Sequence, residues 1–179
     1  MRKWLIIIVA ALQVAVLASM AGQREWVVKT GKTIYLRTVP VDPRDLFRGD
    51  YVRLNYDISS VPKSLLRDGL VKKYEKGMRV YAVLDTNESD VGRLAYVTDK
   101  KPKEGLFIRG RVRYRTESAS SLQIRYGIEG YFVQQGKGKP LEQVRRREGV
   151  RIPLEMEVKL GANGIAVIIG HRYSPVGME

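Results

Sequence analysis

The chain has 179 residues, a formal net charge of +13, one histidine and no cysteine. This length suits one domain of ordinary size with an appendage. The lack of cysteine excludes disulfides and thiolate metal sites, and a single histidine argues against a zinc site. The positive surplus favours acidic partners, namely anionic lipid head groups or acidic proteins.

The first predicted element is a long, apolar N-terminal segment. Arg2 and Lys3 precede an uncharged run over residues 4–22. As a helix, this run is roughly 28 Å long, which is close to the ~30 Å hydrocarbon core of a bilayer. We therefore predict an N-terminal membrane anchor over residues 1–22 and an exported domain over residues 23–179.

A removable signal peptide is the alternative, because Ser19-Met20-Ala21 resembles a small-residue cleavage site. However, the run is longer than the ~7–15 apolar residues usual in a signal peptide, and it lacks the polar region expected before the cut. These features favour a retained signal-anchor. The charges of Arg2 and Lys3 predict a cytoplasmic N-terminus and a domain outside the membrane.

The anchor also carries candidates for helix packing. Small residues recur at four-residue spacing on one face, and Gln13 lies near mid-membrane on another. Such spacing lets two helices approach closely, and a buried amide needs a hydrogen-bonding partner. An alanine-rich anchor also produces this spacing by chance. The candidate packing residues are Ala11, Gln13, Ala15 and Ser19.

Beyond the anchor, turn residues separate short β-like segments. We predict a mainly β (α+β) domain with one or two short helices behind a single transmembrane helix. The predicted strands are 32–39, 51–58, 79–85, 94–98, 106–114, 122–125, 130–134, 151–159 and 165–171, with a hairpin turn at 161–164. Helices are predicted over 63–74 and 140–148, each with a proline near its first turn.

Two sequence blocks carry a family resemblance. Residues 49–56 read Gly-Asp-Tyr-Val-Arg-Leu-Asn-Tyr, and residues 126–133 read Tyr-Gly-Ile-Glu-Gly-Tyr-Phe-Val. Both blocks resemble the GDYXXLXY family of membrane-anchored proteins. The resemblance implies an anchored protein whose partner is a multi-pass membrane protein, and it implies no particular reaction.

The octapeptide permits two interpretations. Gly49 and Asp50 turn the chain into the predicted strand 51–58, in which alternate apolar residues are expected to face the core, so the block serves folding. Alternatively, the two blocks form an interaction surface. The candidate interaction residues in the blocks are Asp50, Tyr51, Leu54, Tyr56, Tyr131 and Phe132.

A row of arginines runs along the predicted strand 106–114 and one residue past its end. Arg109, Arg111, Arg113 and Arg115 occupy alternate positions, so all four side chains project from one face over roughly 20 Å. Guanidinium groups suit phosphate and carboxylate oxygens. The row is either a docking face for lipid phosphate or an acidic protein, or a solvated face paired with glutamates of a neighbouring strand.

Residues able to carry catalysis are scarce. The aspartates around the octapeptide alternate with arginines and lack calcium-loop spacing, so we interpret them as salt-bridged turn residues: Asp42, Asp45, Asp50 and Asp57. The region also loosely resembles the layout of type I signal peptidases, with Thr38 as nucleophile. Arg79 stands where their lysine base is sought, and arginine does not deprotonate in proteins. A divergent hydrolase is the alternative to a non-catalytic protein.

We therefore expect a non-catalytic, single-pass protein of the bacterial inner membrane with a periplasmic domain. The expected partners are a multi-pass membrane protein and anionic lipid head groups or an acidic protein. No metal or cofactor is predicted, and no nucleic acid partner is expected outside the cytoplasm.

Overall fold

The computed structural model describes residues 2–39, 51–114, 121–132, 145–147 and 150–175. An N-terminal helix precedes a domain built from antiparallel strands and short 3₁₀ turns. The predicted mainly β class with one long apolar helix is confirmed.

Helix α1 (Arg2–Thr30) extends past the apolar segment to the first strand. It is exposed from Lys3 to Trp26, and Lys3–Thr30 is long and apolar enough to cross a membrane. Its last turn differs, because Val27 is only 3% exposed and packs against the domain. The helix thus continues without a break across the predicted boundary at residue 22.

The strands contain or overlap every strand predicted from the sequence. In chain order they are β1 (Lys32–Val39), β2 (Tyr51–Arg53), β3 (Asn55–Tyr56), β4 (Ser60–Pro62), β5 (Arg79–Thr86), β6 (Gly92–Thr98), β7 (Leu106–Tyr114), β8 (Ser121–Arg125), β9 (Gly130–Phe132), β10 (Arg145–Arg147), β11 (Val150–Ile152), β12 (Leu154–Leu160) and β13 (Ala166–Tyr173). The turn between β12 and β13 lies where the hairpin was predicted, with Gly164 at φ +77.

A 4-stranded sheet, in the order β13-β12-β1-β3, and a 5-stranded sheet, in the order β4-β8-β7-β5-β6, share one hydrophobic core. Ile34 and Leu36 of β1 are fully buried, as are Val80 and Ala82 of β5. Since successive side chains of a strand point to opposite faces, each sheet places one apolar face on the core and leaves the other for solvent or a partner.

The predicted strand 51–58 is divided in the structure. β2 pairs with β9, β3 pairs with β1, and Asp57–Ser59 form a 3₁₀ turn. The chain changes partner at Leu54, whose N–H donates to the Glu129 carbonyl at 2.8 Å. The prediction that the apolar residues of this segment face the core is confirmed for Leu54, Tyr56 and Ile58, and the side chain of Val52, predicted with them, lies outside what the structure describes.

Both helix predictions in the domain are wrong where the structure describes them. Residues 63–74 contain two 3₁₀ turns, Lys63–Leu65 and Asp68–Val71. The helix fails because Leu66 is extended and bridges to Val97, and because Asp68 has a positive φ of 54. In the segment 140–148, Arg145–Arg147 form strand β10 paired with β11, and the other residues lie outside the described ranges.

Candidate functional site

The two sequence blocks lock together through a reciprocal pair of tyrosine hydrogen bonds. The Tyr56 hydroxyl donates to the Ile128 carbonyl at 2.7 Å, and the Tyr126 hydroxyl donates to the Ile58 carbonyl at 2.7 Å. Both hydroxyls are buried. The β2–β9 pairing adds backbone hydrogen bonds between the same two blocks. Together the blocks therefore form one structural unit.

The electrostatics of this unit keep both tyrosines neutral. Burial raises the pKa of Tyr56 far above its usual value, and the negative charge of Glu129 adds to the effect. Burial likewise raises the pKa of Tyr126, with further contributions from Asp57 and Glu129. The Glu129 carboxylate accepts hydrogen bonds from the backbone N–H groups of Tyr126 and Gly127. This carboxylate thus closes a turn.

Several candidate interaction residues are part of this folded unit. Leu54 and Tyr56 are 5% and 1% exposed, so they are core residues that a partner cannot reach. Tyr51 lies opposite Phe132 in the β2–β9 ladder. The side chains of these two residues and all of Asp50 lie outside what the structure describes.

Tyr131 is the candidate of the second block whose side chain is described, and it is half-buried at the domain surface. Its hydroxyl lies 3.3 Å from Nδ1 of His171, and the two rings meet edge to face with centroids 5.7 Å apart. His171 is exposed. The pair leaves an aromatic edge next to solvent.

The predicted alternation along β7 is confirmed for its described residues. Arg109, Arg111 and Arg113 are exposed, whereas Gly110 and Val112 between them are buried. A side chain at Gly110 would place its Cβ 2.5 Å from Ile124 Cγ2, so glycine is needed for this close packing. Arg115 lies outside the described residues.

The neighbouring strands widen this row into a surface. Arg111 lies directly opposite Arg79 of β5 on one side and Arg125 of β8 on the other. Residues directly opposite in a ladder have Cβ atoms about 4.5–5.5 Å apart. The arginine face is defined here as Arg79, Arg109, Arg111, Arg113 and Arg125. Arg79 and Arg125 were not predicted to belong to this face, because the sequence does not reveal the register between strands.

The partners of the arginine face differ between its edge and its centre. Arg125 Nε lies 3.5 Å from Glu129 Oε2, and Arg111 Nη1 donates to the Gly77 carbonyl at 3.0 Å. Within the described part of the chain, no carboxylate forms an ion pair with Arg79, Arg109 or Arg111. The centre of the arginine face, formed by Arg79, Arg109 and Arg111, therefore has no carboxylate partner among the described residues.

A second charged cluster lies on the other sheet and neutralises itself. Glu155 of β12 is fully buried, and its carboxylate contacts Arg37 Nε at 3.3 Å and Arg172 Nε at 2.9 Å. The Arg172 guanidinium carbon lies 3.2 Å above the Tyr35 ring. No sequence pattern signalled this cluster, because cross-strand register alone brings the three residues together. Its geometry is that of a structural ion-pair network.

The hydroxyl considered as a nucleophile makes a hydrogen bond between strands. Thr38 Oγ1 donates to the Leu154 carbonyl at 2.9 Å. Arg79, at the position sought for the base, lies on the other sheet within the arginine face. In the described ranges, no cluster of three His, Cys, Asp or Glu side chains could hold a metal ion.

Comparison with known protein families gives a match that includes both sequence blocks. A family model described as GDYXXLXY protein matches residues 13–170, which include the end of the anchor, both blocks and the arginine face. No curated protein and no solved structure matches the chain. Since the match covers most of the sequence, the chain belongs to the GDYXXLXY protein family.

Proposed function

We propose that the chain is a non-catalytic, membrane-anchored binding protein whose arginine face docks an anionic group. The observation that carries this proposal is the position of Arg111 between Arg79 and Arg125 on three adjacent strands. Like charges directly opposite each other in a sheet destabilise it. A bound phosphate or carboxylate removes this repulsion, and the planar guanidinium fork matches the oxygens of either group.

The anchor fixes where this binding takes place. In the proposal, α1 is a retained signal-anchor in the bacterial inner membrane, with a cytoplasmic N-terminus and a periplasmic domain. The continuity of the helix through Ala21 supports retention. Arg2 and Lys3 support the orientation. A reporter fused to the C-terminus that is active only in the cytoplasm contradicts this arrangement.

The anionic group belongs to an acidic protein or to a lipid head group. We further propose that the chain is an accessory partner of a multi-pass membrane protein. The membrane segment of α1 is exposed along its length, and its face with Ala11, Ala15 and Ser19 offers the close packing surface expected between helices. Purification from native membranes at native abundance tests this partnership, and recovery of the chain alone contradicts it.

Site-specific photo-crosslinking in native membranes tests the arginine face. A photoreactive residue at position 111 should capture a phospholipid or a protein, and the mass of the product distinguishes the two. The control carries the same residue at Lys72, which is exposed and outside the arginine face. Equal capture from both positions contradicts a docking role for the face.

A further inference from the structure

We infer that the domain stands directly on the bilayer, with a second basic surface bound to lipid phosphates. This basal surface is defined as Arg24, Lys29, Lys32, Lys159 and the β12–β13 turn at 161–164. It shares no residue with the arginine face and lies where α1 enters the sheets.

The junction between α1 and the domain is tightly packed. Gly31 alone separates α1 from β1, and its N–H donates to the Val27 carbonyl at 2.8 Å. A Cβ atom at Gly161 would lie 2.8 Å from Val27 Cγ2, and a Cβ atom at Gly31 would lie 2.5 Å from the Val27 oxygen. Glycines thus let the helix end, β1 and the β12–β13 turn meet. The domain therefore follows the orientation of the helix.

The junction also lies close to the lipid. From Gly22, where the apolar segment ends, α1 rises only about 12 Å to Thr30. Each head-group layer is about 5–8 Å thick. Trp26 lies about 6 Å beyond Gly22 and is 69% exposed, a position typical of the aromatic belt at a membrane interface. The first residues of the domain therefore lie at or just above the head groups.

The charges at this end of the domain suit a phosphate layer. Arg24, Lys29 and Lys32 are exposed, and Lys159 is partly exposed near the end of β12. The acid among them, Glu25, pairs with Lys29 at 3.4 Å. The turn at 161–164 carries no charge and exposes Ala162. Basic residues this close to an anionic leaflet strengthen attachment to it.

The basal surface adjoins the arginine face. The Gly164 carbonyl accepts a hydrogen bond from the Arg109 N–H at 2.8 Å, so the turn on the membrane side touches β7. Contact between the basal surface and the lipid therefore holds the arginine face at a fixed height above the membrane. A partner embedded in the same membrane then reaches the face by diffusion within the membrane plane.

The absence of cysteine permits single labels in the full-length protein. Ala162→Cys places a fluorescent label at the basal surface, and Pro175→Cys places one at the far end. Pro175 is exposed and follows the end of β13, which runs about 23 Å away from the turn. The protein is reconstituted in vesicles of zwitterionic and anionic phospholipid that carry a head-group quencher.

The label at position 162 should be quenched several-fold more than the label at position 175. Equal quenching overturns the inference. In anionic vesicles, Lys32→Gln with Lys159→Gln should lower the quenching at position 162, whereas the exposed control pair Lys72→Gln and Lys76→Gln should not. Unchanged quenching in the basal variant overturns the assignment to lipid phosphate.

A third variant separates this inference from the proposed function. Arg79→Gln with Arg111→Gln and Arg125→Gln neutralises the arginine face and leaves the basal surface intact. The difference in quenching between positions 162 and 175 should persist in this variant. Loss of that difference overturns the independence of the two surfaces.

Discussion

Tyr56 and Tyr126 each donate a buried hydrogen bond to a backbone carbonyl beside the other tyrosine. This exchange joins the end of the octapeptide to the start of the second block across 72 residues of sequence for the Tyr56–Ile128 bond and 68 residues for the Tyr126–Ile58 bond. It explains why a tyrosine closes the octapeptide, because phenylalanine fills the same volume but leaves a buried carbonyl unsatisfied.

Removal of either hydroxyl should destabilise the fold. We expect Tyr56→Phe and Tyr126→Phe each to lower the free energy of unfolding by about 1–3 kcal/mol, the cost of an unsatisfied buried polar group. Urea unfolding of the full-length protein in detergent measures this loss. Tyr81→Phe is the control, because the Tyr81 ring packs edge-on against Phe107 and its hydroxyl is not hydrogen-bonded within the described residues. A loss as large in the control contradicts the account.

The same tyrosines predict that the free energy of unfolding depends on pH under alkaline conditions. Their pKa values are raised in the folded state, so above about pH 10 the folded protein retains protons that the unfolded chain releases. The free energy of unfolding should therefore fall as pH rises, by about 1.4 kcal/mol per pH unit for each tyrosine. Each single Tyr→Phe variant should lose about half of this slope. An unchanged slope in both variants contradicts the prediction.

The buried Glu155 should be far more sensitive to substitution than its neighbour on the same strand. Glu155→Gln removes the charge that pairs with Arg37 and Arg172, and we expect a loss of about 2–4 kcal/mol in the free energy of unfolding. Glu157→Gln, two residues along β12 and partly exposed, should change it by less than about 0.5 kcal/mol. Equal losses in thermal or urea unfolding contradict the network.

Substitution of an arginine should change the stability of the protein in opposite directions in the two sheets. Arg111→Gln relieves repulsion from Arg79 and Arg125, so we expect the free energy of unfolding to rise by about 0.2–1 kcal/mol at low salt. This gain should shrink as salt screens the charges. Arg172→Gln should instead destabilise the protein, because it leaves Glu155 with one partner. Arg79→Gln removes the same repulsion but keeps the Arg111 hydrogen bond to the Gly77 carbonyl, so a loss of stability in both variants contradicts repulsion across the face.

Local sequence patterns predicted those features that depend on a single segment. The β-rich composition of 32–39 identified β1, and the alternation of arginines with other residues along 106–114 indicated the exposed face of β7. The apolar run identified α1, although its continuation to Thr30 depends on the packing of Val27. The helix over 63–74 was wrong because spacing alone does not reveal that Leu66 pairs with the edge of β6.

Features that depend on the register between strands could not be predicted from the sequence. The arginine face became visible only when β5 and β8 placed Arg79 and Arg125 beside Arg111. The tyrosine exchange and the Glu155 network likewise join residues far apart in the chain, and nothing in their local surroundings marks them. The two blocks were identified as a pair by resemblance, and the structure supplies the physical reason for their pairing.

The most direct test of the account measures capture by the full-length chain in native membranes after charge neutralisation. Arg79→Gln, Arg111→Gln and Arg125→Gln are combined and compared with Lys63→Gln, Lys72→Gln and Lys76→Gln, which remove the same charge from exposed positions elsewhere. With a photoreactive residue at Arg109, we predict that the arginine variant loses most of the cross-linked product while the lysine variant retains it. Equal yields from the two variants would contradict an anion-docking role for the arginine face.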